Sequence, residues 1–575
     1  MLSAYIEQAK AGAPLWLPQL REELLASSAC GRIILRMTAC DGHATDFRHP
    51  LPAWQGKEER AFVADYLCAC VHNAISALGG RELRFFADTG DMGLMHLLDE
   101  VQASFAPGGA YAKCVQVATR ICKAAGCPPF TFAVQDIWGY SPIERAEGKP
   151  GKALAPRLAA AAAQAQTGAY CGIDVGGTDI KLAASLNGRL ICIKEFDWNP
   201  AAGTTAEDIT KPILLLVRLM RACLAVQGLA ETHPLRESLG RALEAGASLE
   251  QIAAAVARAE EVLGPAVDIL DGVGLSFPDV VINDRILGGE TPKTKGIREN
   301  PAVNYEAELS KIGALQESLQ ALCRQDGRVR ITNDGHMAAF VAAMEMAAGE
   351  GSELAGGIIA HTLGTDLGTG WLNEDGGIPE MPLELYDLLL DLGSLPARSL
   401  PAMDLRSVRN ENSGLPGARR YMGQAAAFRL AAELKPALLD GYARQEGDLL
   451  LIPTEPEDMR KPCLERLMAL AEAGDAAAME VFRRIGMHLG WLSREMDFLL
   501  KPKTDTRFLF GRFVKRQSIF NLLCEGCTET APRIRLLAAN EDLARTPLMK
   551  QLAKRQDATV AQFGQAVGGI YFSIL

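Results

Sequence analysis

The stretch CGIDVGGTDIKLAA, Cys171 to Ala184, puts an acid, two glycines and a threonine between two apolar runs. Gly176 and Gly177 permit positive φ and let a ligand approach the backbone closely. Successive exposed N–H groups in such a turn form an anion nest. An acid beside a nest makes chemical sense when a metal lies between it and the anion. Asp174 would then hold Mg²⁺ through water against a bound phosphate, with a hydroxyl from Thr178 and a positive charge from Lys181. The alternative is an ordinary hairpin whose glycines only satisfy geometry. A second turn, LGTDLGTG, offers another glycine-threonine nest at Gly364, Thr365 and Gly368. Two nests from two halves suit a nucleotide held in a cleft between them. Neither turn is a Walker loop or a GxGxxG element.

The third element is ITNDGHMAAF, Ile331 to Phe340. Asp334 falls where a strand gives way to a helix of small residues. A capping acid is common there. The same carboxylate would also serve as the general base that phosphoryl transfer to an alcohol requires, with Asn333 orienting a second hydroxyl. His336 reads as a helix-surface residue and His361 as an interior or edge histidine of an apolar strand.

The elements that must position these groups follow from pattern. The chain has 575 residues, too many for one core. Residues 1–150 read as an N-terminal α/β domain, with strands at RIILRMTA, LRFFAD and FTFAVQD. Helices are expected over Glu58 to Leu78, Gly93 to Phe105 and Ala112 to Ala125. An alanine-rich linker with a short helix occupies 151–169. From Tyr170 three short strands follow in series, joined by Gly176-Gly177 and Asn187-Gly188. A strand–glycine turn–strand arrangement returns near Gly356, which reads as a duplicated α/β half. A long amphipathic helix is expected over Asp475 to Leu500, stopped by Lys501-Pro502.

Bulk composition excludes some classes. The net charge of −11 argues against a general nucleic-acid binder, and the N-terminal unit is not basic enough for a DNA-binding head. No membrane span or signal peptide is expected. The fourteen scattered cysteines read as reduced thiols of a cytoplasmic protein.

The three elements, in this order, resemble the ROK family (repressors, open reading frames and sugar kinases) of the superfamily of sugar kinases, actin and heat-shock ATPases. The resemblance runs from about Tyr170 to Leu575. GIDVGGTDIKLA resembles the family's first phosphate motif, GVGLSFPDVV its segment before the sugar site, and ITNDGHMAAF its Asn-Asp catalytic element. LGTDLGTGW is similar to the second phosphate motif, AGDAAAMEVFRRIGMHLGWL to the long C-terminal helix, and FGQAVGGIYFS to the final small-residue helix. The resemblance implies two actin-like (ribonuclease H-like) lobes, 170–335 and 336–575, around a nucleotide cleft. It implies ATP and Mg²⁺ as cofactors, Asp334 as catalytic base, Asn333 as a sugar ligand, Asp174 on the Mg²⁺ side, and Gly511 at the adenosine wall.

Departures from the family pattern matter as much. The family's zinc stretch has no counterpart, since Asp375 to Arg420 holds neither cysteine nor histidine, and no structural zinc is expected. LELYDL replaces the family's sugar-binding segment, with Glu384 and Asp387 standing for its glutamate and histidine. Lys293 and Lys295 of TPKTKGI point to an anionic substrate, or are solvated surface lysines. Asp366 lies inside the second phosphate turn, where like charges ~4 Å apart cost about 4 kcal/mol. Arg512 follows Gly511 and would stack on adenine or close its slot. Three readings result: an ATP-dependent kinase of a sugar or sugar-like small molecule; a weakly active or inactive sugar- or nucleotide-binding regulator of the same fold; and an ATPase-type activator, for which Cys524 and Cys527 are a thin basis. A homodimer is compatible with each.

Overall fold

The computed structural model describes the chain except residues 1, 28–29, 144–153, 289–290, 350–353, 355, 365–366, 395–399, 411–413 and 539–543. The chain forms two compact units, each assembled from separated segments. One comprises Met1–Gly148, His361–Thr369 and Met381–Ala538; the other Lys149–Ala360, Gly370–Glu380 and Ala539–Leu575.

In the first unit the N-terminal residues build a four-stranded sheet from β1 (Cys30–Thr38), β2 (Ala44–Pro52), β3 (Glu82–Ala87) and β4 (Thr131–Asp136), in the order β2-β1-β3-β4. The β1 strand pairs antiparallel with β2 and β3, and β3 runs parallel to β4. The helix Gly56–Leu78 is buried on nearly every side from Tyr66 to Ala77. It is long and apolar enough to cross a membrane, yet 78% of that window is buried inside the protein. Its outer face is covered by residues from far along the chain. Asn73 Nδ2 donates to the Leu389 carbonyl at 3.0 Å and to Glu495 Oε1 at 2.9 Å, and Leu389 N–H donates to Asn73 Oδ1 at 2.8 Å. Leu15 N–H donates to Asp391 Oδ1 at 2.7 Å. Residues 1–148 thus have their own sheet and share a unit with 381–538.

The second unit holds β5 (Ala169–Val175), β6 (Asp179–Leu186), β7 (Arg189–Asp197) and β8 (Gly272–Phe277). A hairpin of β9 (Val281–Ile282) and β10 (Arg285–Ile286) follows, then β11 (Arg328–Asn333). The main sheet has the order β11-β8-β5-β6-β7. The β5, β6 and β7 strands are antiparallel, while β8 and β11 add in parallel beside β5. This is the ribonuclease H-like order. Helices Ala206–Ala225 and Leu249–Leu263 share one apolar core with the sheet. Helix Val560–Phe572 also packs on β5 and β8, and glycine makes that contact feasible. A Cβ on Gly172 would lie 1.8 Å from the Ala566 carbonyl oxygen, and one on Gly274 1.9 Å from that of Gly569.

Another sheet contains β12 (Ile358–Leu363), β13 (Leu367–Leu372), β16 (Thr506–Gly511) and β17 (Arg535–Ala538), in the order β13-β12-β16-β17. Between them in sequence lies the hairpin β14 (Arg444–Glu446) and β15 (Leu449–Leu451). The division between units falls within β12 and β13. Helix Ala476–Leu500 meets helix Gln517–Thr530 at backbone distance, where a Cβ on Gly526 would lie 1.8 Å from the Arg483 carbonyl oxygen.

The units do not follow a cut after residue 335. Helix Asp334–Ala347 continues directly from β11, and Val560–Phe572 returns to the β5–β8 surface, so both belong with 149–360. The alanine-rich stretch is the helix Leu154–Gln164, held through buried Leu154, Leu158 and Ala161 rather than left as a free connector.

Candidate active site

Parallel strands gather their C-terminal ends, and here three do so. Asp174 near the end of β5 is in register with Ser276 of β8, and Ser276 with Thr332 of β11. Ligands of α/β sheets bind outside such ends. Ser276 Oγ donates to Asp174 Oδ1 at 2.8 Å and lies 3.3 Å from Gln565 Oε1 on the Val560–Phe572 helix. Burial raises the Asp174 carboxyl to about 6. The Ser276 hydrogen bond and Lys181 pull it down, while the charges of Asp334 and Asp179 push it up. Among the described residues no three ligating side chains gather there, so Asp174 fits Mg²⁺ only through water, where the cation would neutralise a buried carboxylate that senses two other negative charges.

The raised value has a stability consequence. In the folded protein Asp174 holds its proton more tightly than at the ordinary value of 3.8, so its contribution is lost as pH rises from about 4 through about 6. Asp174→Asn should therefore raise the unfolding temperature near neutral pH, by the equivalent of about 1–3 kcal/mol, and leave it unchanged near pH 4. Thermal melts across that range check it. The same variant should lose any Mg²⁺-dependent stabilisation by nucleotide.

Asn333 and Asp334 divide the labour that the sequence left open. Asn333 is the N-cap of helix Asp334–Ala347; its Oδ1 accepts from Gly335 N–H at 2.8 Å and its Nδ2 donates to the Asp279 carbonyl at 2.8 Å. Asp334 is the first helical residue. Its Oδ1 also accepts from Gly335 N–H at 2.8 Å, and its second oxygen takes no hydrogen bond among the described residues. The capping role thus falls to the neighbour, and the carboxylate is left open. The helix start is fixed from behind, where a Cβ on Gly370 would lie 1.8 Å from the Gly335 carbonyl oxygen. His336, expected on the helix surface, is instead buried. Its Nδ1 accepts from Trp371 N–H at 3.1 Å, and burial pushes its pKa down to about 4, so it is a neutral pin.

The first glycine turn spans β5 and β6. Gly176 N–H donates to the Asp179 carbonyl at 2.8 Å, and Trp198 Nε1–H to the Gly176 carbonyl at 3.1 Å. The N–H groups of Gly177 and Thr178 have no partner among the described residues, which leaves a two-donor nest. Thr178 Oγ1 donates to Asp179 Oδ2 at 3.2 Å. Lys181 sits opposite Asp174 in register, but its ammonium pairs with Asp179 and lies 3.5 Å from Glu195 Oε1. Much of its charge is therefore spent within the strand pair. Lys293 approaches the same turn: a Cβ on Gly177 would lie 3.5 Å from Lys293 Cε.

The remaining expected residues belong to the first unit. Thr365 and Asp366 lie outside the described residues. The Gly364 carbonyl accepts from Gln424 N–H at 2.9 Å, and a Cβ on Gly368 would lie 3.5 Å from Thr362 Cβ. Gly511 has φ +110°, and a Cβ there would lie 2.1 Å from the Leu363 carbonyl oxygen, so only glycine fits the junction of β16 and β12. Arg512 Nη1 is 3.8 Å from Glu465 Oε1. Glu384 accepts from the Tyr386 hydroxyl, and its N–H donates to the Ser76 carbonyl at 3.0 Å. Asp387 is buried; it accepts from Asn410, lies 3.9 Å from Lys113 Nζ, and has its carbonyl 3.1 Å from His72 Nε2. Both residues are engaged with the N-terminal layer.

No model of a known protein family matches the chain, and no curated protein matches it. Solved structures do. The chain is similar to a ROK family glucokinase from Streptomyces griseus in complex with glucose and AMPPNP, at 17% identity over 71% of this chain and 99% of that one, TM-score 0.37. It is similar to the ROK hexokinase from Thermus thermophilus, at 16% identity over 70% and 98%, TM-score 0.35. It is also similar to a ROK family transcriptional regulator, a homolog of the E. coli MLC protein, at 12% identity over 71% and 80%, TM-score 0.37. The fold rests on the strand order described above.

Asp179, Ser276, Glu195 and Gln565 were not found from sequence. Asp179 had a signal: it is two residues from Lys181 and so shares its strand face. Ser276 and Gln565 carry none, since only strand register and helix packing bring them to Asp174.

Proposed function

We propose that the chain transfers a phosphoryl group from ATP to a hydroxyl of a sugar or sugar-like molecule, with Asp334 as general base. The observation that carries this is the unencumbered Asp334 carboxylate, close enough to Asp174 to raise that residue's pKa, at one set of strand ends. Asp334 accepts the acceptor hydroxyl's proton as the bond to phosphorus forms. Asn333 holds its neighbour in place through the cap and has a second amide hydrogen to offer the acceptor. Gly177 and Thr178 N–H groups receive phosphate oxygens. Mg²⁺, when bound beside Asp174, neutralises charge on the phosphates. Gly364, Thr365, Gly368 and Gly511 are the proposed nucleotide contacts of the first unit, and Glu384 and Asp387 its sugar contacts. The protein is proposed to work in the cytoplasm on small molecules.

One observation favours the regulatory reading. Asp179 places a second carboxylate against the first phosphate turn, 2.8 Å from where a Cβ of Gly176 would lie. The test is a panel of neutral, acidic and phosphorylated sugars with Mg-ATP, scored for both ADP release and thermal shift. Sugar-dependent ADP release supports the kinase. Ligand-dependent shifts with no ADP from any sugar would replace it with the regulator.

A further inference from the structure

The geometry points to Lys293 as the group that distinguishes ATP from ADP by contacting the terminal phosphate, an inference that rests on the phosphotransfer reading above. Its aliphatic chain lies across the bare Gly177, whose hypothetical Cβ would be in ordinary van der Waals contact with Lys293 Cε at 3.5 Å. The neighbouring N–H groups of Gly177 and Thr178 are open.

Charge singles out this lysine. The end of the site near Asp174 and Asp334 is where the transferred group must lie, because the base acts there. That end carries Asp174, which senses the negative charges of both Asp334 and Asp179. Lys181, the cation expected to offset a phosphate, is paired with Asp179 and near Glu195. Lys293 has no hydrogen bond or ion pair with any described residue, so its charge is available to a ligand. Lys295, its companion in sequence, is a surface lysine, 58% exposed and 3.9 Å from Glu299.

Lys293 is also held in place. It sits in a 3₁₀ turn, Pro292–Thr294, followed by helix Lys295–Glu299. Buried Thr294 places Oγ1 3.3 Å from the Thr291 carbonyl and 3.2 Å from the Tyr305 hydroxyl. Arg298 Nη1 donates to the same carbonyl at 3.3 Å and to Thr294 Oγ1 at 3.2 Å. Gly296 packs against the loop before helix Ala206–Ala225, since a Cβ there would lie 2.4 Å from the Gly203 carbonyl oxygen. The backbone that carries Lys293 is thus fixed, so binding need order only its side chain.

The experiment is calorimetric titration of the full chain with Mg-AMPPNP and Mg-ADP, for wild type, Lys293→Met and Lys293→Arg. Wild type should prefer the triphosphate. Lys293→Met should lower that preference about 10- to 100-fold, the loss expected for one charge-assisted contact, with ADP affinity changed by less than about 2-fold. Lys293→Arg should keep part of it. An unchanged preference in Lys293→Met overturns the inference while leaving the kinase reading intact; so does a variant whose only loss is in binding an acidic sugar. Wild type that binds neither nucleotide overturns both.

Discussion

Asp334→Asn should bind Mg-ATP as the wild type does and lose about 10²- to 10⁴-fold in turnover, the usual contribution of a positioned general base. The substitution is structurally quiet. Asn333 remains the cap, and the new amide oxygen still accepts from Gly335 N–H. What disappears is the carboxylate oxygen that takes no hydrogen bond among the described residues. A second effect accompanies the first. The charge of Asp334 raises the Asp174 carboxyl, so the variant should ionise Asp174 at lower pH. The comparison is ADP release against ATP-induced thermal shift in the two proteins. Undiminished ADP release by the variant would remove Asp334 from the chemistry.

The largest expected effect on stability is far from that site. Arg21 Nη2 lies 2.6 Å from Glu495 Oε2, with 4% and 0% of the two side chains exposed, and the guanidinium stacks 3.8 Å from the Phe498 ring centre. Breaking a buried pair on one side costs about 3–5 kcal/mol, since the other charge stays buried without its counter-ion. Arg21→Met should therefore lower the unfolding midpoint of the first unit sharply, with Asn73 left as the donor to Glu495. The double variant Arg21→Met with Glu495→Leu should recover most of the loss, because it leaves no unpaired charge. A denaturation cycle of the four proteins measures this. If the single variant unfolds like wild type, the pair does not hold the N-terminal layer in place.

The two results differ in how far sequence could anticipate them. The local structure around Asp174, Gly176-Gly177, Asn333 and Asp334 was legible because each is a local pattern: strand into turn, strand into helix. The helix over Gly56–Leu78 and the long helix at Ala476–Leu500 were legible from apolar spacing. Arg21–Glu495 was not, since no local signal links residues 474 positions apart. The same reason hid Ser276 and Gln565 from the Asp174 site. Lys181 was misleading for a different reason. Strand alternation puts it on the correct face, but it puts Asp179 there too, and the nearer carboxylate captures the charge. The burial of His336 was not legible, because helix spacing does not reveal that its ring meets the Trp371 backbone. The discontinuous units were hidden because the packing of Val560–Phe572 depends on glycines in strands hundreds of residues earlier.

The cover over helix Gly56–Leu78 arrives late. Helix Ala476–Leu500 is made roughly 400 residues after it. At about 5–20 residues per second a ribosome takes about 20–80 s to cross that gap. For most of that interval, until the segment holding Leu389 and then that holding Glu495 are made, a helix apolar enough to pass for a membrane span lacks its C-terminal shield. Production of this protein should therefore depend on chaperones that hold nascent chains, and slow translation of the middle of the message should raise the fraction that aggregates.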